Sequence, residues 1–159
     1  MSTIVSDLKN FAHTDDKIWQ YADLCAGLTS TLNIVRNEVK YKADITFNPT
    51  NIPMVECLPA QINQVFMNII VNAAQAIEGK GKITISLDHI EQWVSISIQD
   101  TGKGIPKKDL NRIMEPFYTT KPVGVGTGLG LSISYGIIKK HLGRIDIEST
   151  MGEGSTFRI

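Results

Sequence analysis

PAQINQVFMNIIVNAAQAI, residues 59–77, is the stretch on which the fold turns. At 100° per residue Ile62, Val65, Phe66, Ile69, Ala73, Ala76 and Ile77 fall on one side, which predicts an amphipathic helix with Pro59 in its first turn. Beside the apolar stripe runs a second stripe made only of amides: Gln61, Gln64, Asn68, Asn72 and Gln75. A face that merely meets water usually mixes in Lys and Glu, which suit a helix, whereas Asn suits it poorly. Asn68 and Asn72 are four residues apart and therefore neighbours. The stripe is either an amide-rich solvated face or a ligand surface that coordinates without carrying charge. In the second case an Asn carbonyl oxygen is a hard ligand suited to Mg²⁺, an ion that commonly bridges to phosphates.

Regular elements extend outward on both sides. Upstream, Ile4, Val5, Leu8 and Phe11 make a short helical stripe over residues 2–13, and His13–Lys17 is a polar linker. Leu24, Leu28, Leu32, Val35 and Val39 predict a helix capped by Asp23. Ala43, Ile45 and Phe47 alternate as a strand up to Asn48–Pro49, and a brief strand falls within Met54–Cys57. Downstream, a turn at Gly79–Gly81 leads into a hairpin built on Ile83, Ile85, Leu87 and Val94, Ile96, Ile98. A helix from about Gly128 to Leu142, with Gly143 as its C′ residue, precedes a last hairpin around Gly152–Gly154. Helices and strands are mixed, and the strands come mostly as hairpins. The expected architecture is α+β, a two-layer α/β sandwich with helices on one face of a mixed sheet.

Composition narrows the function classes. The chain has 159 residues, enough for one domain with an extra element at an end. Sixteen Lys and Arg balance sixteen Asp and Glu, so the surplus positive charge of a general nucleic-acid binder is missing. No apolar run approaches the length of a membrane span, and residues 1–10 do not resemble a signal peptide. Cys25 and Cys57 are isolated, as free thiols in a reducing compartment would be. The expected setting is cytoplasmic.

Backbone permissiveness is concentrated in one place, since six of the thirteen glycines lie between positions 102 and 130. Asp100-Thr101-Gly102-Lys103-Gly104 leaves the second strand of the hairpin. An acid followed by two glycines at a strand end allows a tight turn and the close approach of a ligand, and its carboxylate can accept from an exocyclic amine such as that of adenine. Gly124-Val125-Gly126-Thr127-Gly128-Leu129-Gly130-Leu131 opens a helix, where backbone N–H groups and the helix dipole favour an anion. It matches neither GxGxxG nor GxxxxGK[ST], which disfavours dinucleotide-binding and P-loop folds.

In order these segments read Asn-x3-Asn, DxGxG, Glu115-Pro116-Phe117-Tyr118-Thr119-Thr120-Lys121, and GTGLGL. The arrangement resembles the N, G1, F and G2 boxes of the catalytic ATP-binding domain of sensor histidine kinases, in the GHKL superfamily shared with gyrase-type ATPases and heat-shock chaperones. The resemblance spans about Asp23 to Ile159. It implies a mixed sheet of about five strands packed on three helices, with ATP between the amide-bearing helix and a lid.

Carried over by residue, the resemblance implies that Asn72 ligates Mg²⁺ and Asn68 helps hold the phosphates. Asp100 recognises the adenine amine, Gly102 and Gly104 shape the pocket, and Ser155 stands near the base. Residues 105–127 form the lid, anchored by Phe117, while Gly126, Thr127, Gly128, Leu129 and Gly130 form its hinge and phosphate cradle. Gln75 occupies a position where many members carry Lys or Arg; Lys121 can supply that charge from the lid, ahead of Lys103.

His13, His89 and His141 do not fit the family's phosphoacceptor motif. The acceptor histidine is therefore expected on a separate dimerisation domain of the same protein. Residues 1–20 read as a remnant of that domain's second helix plus a linker, and residues 21–159 as the catalytic domain. The implied partners are that acceptor domain and a response regulator, with the full-length protein a homodimer that can be membrane-anchored. Two alternatives stand beside this reading: an ATPase or protein serine kinase of the same superfamily, which usually carries Glu at the position of Asn68, and a non-catalytic ATP-binding module.

Overall fold

Asp23 caps the first helix as its position predicts: its carboxylate accepts the N–H of Cys25 at 2.9 Å and of Ala26 at 3.3 Å. Two donors that a helix N-terminus leaves open are thereby satisfied. In this computed structural model, which describes residues 18–113, 115 and 130–159, that helix is α1 (Leu24–Val39) and follows a three-residue strand β1 (Gln20–Ala22). Then come β2 (Ala43–Phe47), β3 (Val55–Cys57) and the amide-bearing helix α2 (Pro59–Ala76). The hairpin β4 (Gly81–Ile90) and β5 (Trp93–Asp100) leads to one helical turn, α3 (Lys107–Leu110). Helix α4 (Gly130–Lys140) and the hairpin β6 (Asp146–Thr150) and β7 (Gly154–Arg158) complete the described chain.

The five long-range strands form one mixed sheet in the order β2-β4-β5-β7-β6, in which only β2 and β4 are parallel. Directly paired residues share a face. One rung therefore runs Phe47, Ile85, Ile98, Phe157, Ile147 across all five strands. Against this face lies α2, flanked by α1 and α4. Leu28, Phe66, Ile69, Ile70, Ile85 and Ile98 are fully buried between the layers, each contributing about 1.5–3 kcal/mol of hydrophobic stabilisation. The two-layer α+β sandwich expected from the strand and helix patterns is the observed fold.

Helix α2 starts on Pro59, and its N-cap Leu58 has no side chain able to cap. The imidazole of His141, at the end of α4, instead satisfies the backbone donor of the N-cap residue itself: Nε2 accepts the Leu58 N–H at 3.0 Å. Nδ1 lies 2.7 Å from the Ile137 carbonyl and so carries the proton. The ring also packs on Trp19, with centroids 4.8 Å apart. His141 is a structural residue that ties three segments together.

Local details depart from the sequence reading. Strand β1 carries no apolar alternation and is not foreseen; it pairs antiparallel with β3, Gln20 opposite Cys57, so the boundary drawn between residues 20 and 21 runs through it. Helix α4 ends at Lys140, and the left-handed C′ residue is Leu142 (φ 60°) in place of Gly143. The N–H groups of Leu142 and Gly143 donate to the carbonyls of Lys139 and Ile138 at 3.0 and 2.9 Å, a paired closure that makes Gly143 the C″ residue. A Cβ on Gly143 would sit 3.1 Å from Ile138 Cγ2, so close approach accounts for this glycine. The helical stripe over residues 2–13 and the linker His13–Lys17 lie outside the described residues.

Candidate functional site

The alternation that buries Ile96 and Ile98 makes residue 100 the next position on the helix-facing side of β5, and an aspartate stands there, 3% exposed. The second rung of the sheet accordingly runs Ile45, Ile83, Asp100, Ser155, Ser149: apolar over two strands, polar over three. Burial pushes the Asp100 carboxyl above its ordinary 3.8, while hydrogen bonds from the backbone N–H groups of Gly102 and Ser155 pull the other way. The Gly102 bond is 2.8 Å long. A carboxylate placed where the core pattern calls for an aliphatic side chain is costly unless used.

The turn after Asp100 is anchored on every side. Thr101 Oγ1 accepts the Lys82 N–H at 2.9 Å. A Cβ on Gly102 would lie 2.6 Å from the Ala76 carbonyl oxygen, so only glycine lets the loop press against the end of α2. The Lys103 N–H donates to that same carbonyl at 2.9 Å. Gly104 has φ +78°, and a Cβ there would run into the Thr150 carbonyl. Beyond it, the Ile105 N–H donates to Ser149 Oγ at 2.7 Å, and Ser149 Oγ is 2.8 Å from Ser155 Oγ. Ser155 therefore supports Asp100 through its N–H and the loop through its hydroxyl.

On α2, Asn68, Asn72 and Ala76 follow at steps of four and so lie along one line. Asn68 Nδ2 donates to the Gly130 carbonyl and to Ser134 Oγ, both at 3.2 Å, which places the start of α4 at one end of that line. The DxGxG turn closes the other end, at Ala76, roughly 12 Å further along the helix axis at 1.5 Å per residue. Asn72 lies between. Burial divides the amide stripe: Gln64 and Gln75 are exposed, whereas Gln61, Asn68 and Asn72 are half-buried. Lys42 Nζ donates to the Ile77 carbonyl at 2.6 Å, fixing the end of α2 with a charge suited to a helix C-terminus.

The structure thus brings together Asn68, Asn72, Asp100, Gly102, Gly104, Gly130 and Ser155. Lys121, Gly126, Thr127, Gly128 and Leu129 lie outside the described residues, as do Phe117 and most of the segment expected as a lid. A groove of about 630 Å³ between β3, the start of β5 and the end of α4, bordered by Met54, Trp93 and Leu142, contains none of the expected site residues. Three supporting residues are missing from the sequence reading: Ser134, Ser149 and Gly154, whose Cβ would strike the Asp100 carbonyl. Ser134 had a signal, since it shares the buried stripe of α4 with Ile137 and Ile138.

Among the described residues no group of three His, Cys, Asp or Glu side chains could hold a metal. A divalent ion here would instead need the Asn72 carbonyl oxygen together with phosphate oxygens and water, a donor set that suits Mg²⁺. No helix among the described residues is long and apolar enough to cross a membrane.

The family described as histidine kinase-, DNA gyrase B- and HSP90-like ATPase matches residues 57–159. Sporulation kinase E of Bacillus subtilis (strain 168) is 44% identical over 110 residues, 69% of this chain and 15% of that protein. Sensor histidine kinase ZraS of Escherichia coli (strain K12) is 33% identical over 162 residues, 100% of this chain and 34% of that protein. The chain thus spans 15% and 34% of the length of these two relatives. The catalytic domain of histidine kinase ThkA superposes with a TM-score of 0.78 at 30% identity, covering 89% of this chain and 93% of that one. ThkA has also been solved in complex with response regulator protein TrrA (TM-score 0.73, 26% identity, 99% of this chain, 45% of that one).

Proposed function

The chain belongs to the family of histidine kinase-, DNA gyrase B- and HSP90-like ATPases, and on that premise we propose that it binds Mg²⁺-ATP and transfers the γ-phosphoryl group to a histidine on a separate acceptor domain. The phosphoryl group is then relayed to a response regulator. The observation that carries this reading is the pair of amides on α2, with Asn68 tied to the start of α4 and Asn72 between α4 and the buried Asp100.

Adenine enters over the DxGxG turn, where Asp100 accepts from its exocyclic amine and Gly102 and Gly104 keep side chains out of the way. Asn72 offers its carbonyl oxygen to Mg²⁺, which when bound offsets phosphate charge. Asn68 and the start of α4 flank the phosphates, with Lys121, Gly126, Thr127, Gly128 and Leu129 assigned to the same end by their place in the sequence. The chemistry is positioning and charge neutralisation more than covalent work. Asn68 cannot act as the carboxylate base that water or a hydroxyl nucleophile needs, whereas an imidazole is already a good neutral nucleophile. That weighs against the ATPase and serine-kinase alternatives. The kinase names of the relatives and the ThkA–TrrA complex support a response regulator as partner; the reading adds an acceptor-histidine domain of the same, homodimeric protein and a cytoplasmic setting.

The test is incubation with γ-labelled ATP and Mg²⁺, with and without an acceptor-histidine fragment. Acid-labile label on the acceptor beside slow hydrolysis in its absence is expected. Rapid hydrolysis without an acceptor, and no transfer when one is present, refutes the reading.

A further inference from the structure

The polar part of the second rung crosses three adjacent strands: Asp100 on β5, Ser155 on β7 and Ser149 on the edge strand β6. Ile147 precedes Ser149 on the helix-facing side of β6, so alternation calls for an aliphatic side chain at 149 too. A half-buried hydroxyl stands there instead. Adjacent strands are about 4.8 Å apart, which puts Ser149 roughly 10 Å from Asp100. It is out of reach of a group held by that carboxylate.

The Ser149 hydroxyl meets three partners. The Ile105 N–H, which can only donate, gives its proton to Ser149 Oγ at 2.7 Å. The Gly154 carbonyl and Ser155 Oγ lie 3.1 and 2.8 Å from the same oxygen. Whichever of the two hydroxyls donates to the other, the bond to Ile105 is the same. It closes the far end of the DxGxG turn. The near end is held by the Gly102 N–H on Asp100 and the Lys103 N–H on Ala76, and the Lys103 carbonyl accepts the Gly152 N–H at 2.8 Å. Between the tethers at Lys103 and Ile105 stands Gly104, in left-handed backbone at φ +78°. A glycine is the joint of such a turn that moves most easily, so the bond at Ile105 decides whether it stays in place. We infer that Ser149 is a positioning residue for the nucleotide: from the edge strand it holds Gly104 and Ile105 in the shape that receives the base, without touching the base itself. The inference rests on the kinase reading and adds to it a residue of β6.

Ser149→Ala removes the hydroxyl and little else. Glu148→Ala is the control: it lies next in the same strand, faces the other side of the sheet, and loses only an exposed ion pair with Arg158 at 3.7 Å. The 159-residue chain and both variants are titrated with ATP and ADP by calorimetry, assayed for transfer to an acceptor-histidine fragment, and followed by NMR for amide exchange. Ser149→Ala should bind ATP and ADP about fivefold more weakly, by the same factor for each, the equivalent of one hydrogen bond between neutral groups. At saturating ATP its kcat should stay within about twofold of wild type, because the phosphate end is untouched. Exchange of the Ile105 amide should speed up about tenfold, while the Ile96 amide, bonded to the Ile159 carbonyl at 2.9 Å, keeps its rate. Glu148→Ala should match wild type throughout. Unchanged nucleotide affinity in Ser149→Ala, a fall in kcat at constant affinity, or equal acceleration at Ile105 and Ile96 overturns the inference. A wild-type chain that binds ATP and transfers nothing marks failure of the kinase reading alone, and the affinities and exchange rates still decide the role of Ser149. A wild-type chain that binds no ATP ends both.

Discussion

Replacing Asp100 by Asn separates the cost of the buried carboxylate from its use. Asparagine keeps the shape, and its oxygen can still accept the Gly102 N–H that Asp100 takes at 2.8 Å. Its other fork becomes an NH2 group. On the proposed reading this sets donor against donor where adenine's exocyclic amine arrives, and removes a charge-assisted hydrogen bond. Such a bond contributes about 1.5–3 kcal/mol, so ATP affinity should fall about 10- to 150-fold. Stability should move the other way. Burial raises the Asp100 carboxyl above 3.8, so the folded state holds this proton more tightly than the unfolded chain does. The cost of the buried charge is then fully present above the raised value, shrinks as pH falls through it, and is gone below 3.8. Asp100→Asn should be at least as stable as the wild type near neutrality, with that advantage lost on acidification. Calorimetric titration with Mg²⁺-ATP and urea unfolding over a range of pH measure both arms. Wild-type ATP affinity in the variant, or a wild type that gains on the variant as pH rises, would refute the assignment.

Asn72→Ala should abolish phosphotransfer at any Mg²⁺ concentration while the circular-dichroism spectrum and melting temperature stay close to wild type; transfer that persists removes Asn72 as the metal ligand. Gly104→Ala and Gly79→Ala both force alanine into left-handed backbone, at φ +78° and +72°, which costs about 1–2 kcal/mol. Only Gly104 also meets the Thr150 carbonyl, whereas nothing lies within 4 Å of a Cβ at Gly79. Melting should therefore fall at least twice as far in Gly104→Ala, and equal losses would show that the turn has room to yield. Burial pushes the Cys57 thiol up to about 11, and the side chain is 1% exposed. A thiol reagent at pH 8 should label Cys25 in the native protein and reach Cys57 only on unfolding, and comparable labelling rates would contradict the packing around β3.

The legible parts of the sequence are those in which neighbours along the chain are also neighbours in space. Leu24 to Val39, the cap at Asp23 and the two hairpins are local patterns, and the structure keeps them. The amide stripe was legible as a stripe; the separation of Asn68 and Asn72 from the exposed Gln64 and Gln75 depends on how α4 and the DxGxG turn come against α2, which no spacing encodes. Strand β1 was invisible because three mostly exposed residues pair with only three others, so no apolar alternation is required of them. Leu142 shows a different limit. Either of two adjacent residues can end a helix, and here Leu142 takes the left-handed conformation while Gly143 lies close against Ile138. Asp100 could have been read further: the alternation through Val94, Ile96 and Ile98 already puts it on the core side.

The parallel pairing of β2 with β4 has a consequence in time. Every other contact in the five-stranded sheet except that of β5 with β7 is a hairpin that closes a short loop, but Ile45 reaches Ile83 only after the chain has passed through β3 and all of α2. Closing that long loop costs chain entropy before any contact repays it, which makes such pairings slow. The helix bearing Asn68 and Asn72 is the body of the loop. During refolding, the β4–β5 hairpin with Asp100 at its end can form early, while the β2–β4 pairing waits for the loop that holds α2 to close. Half of the nucleotide site thus exists before the other half arrives, and the competence to bind ATP should return with the slowest phase of refolding.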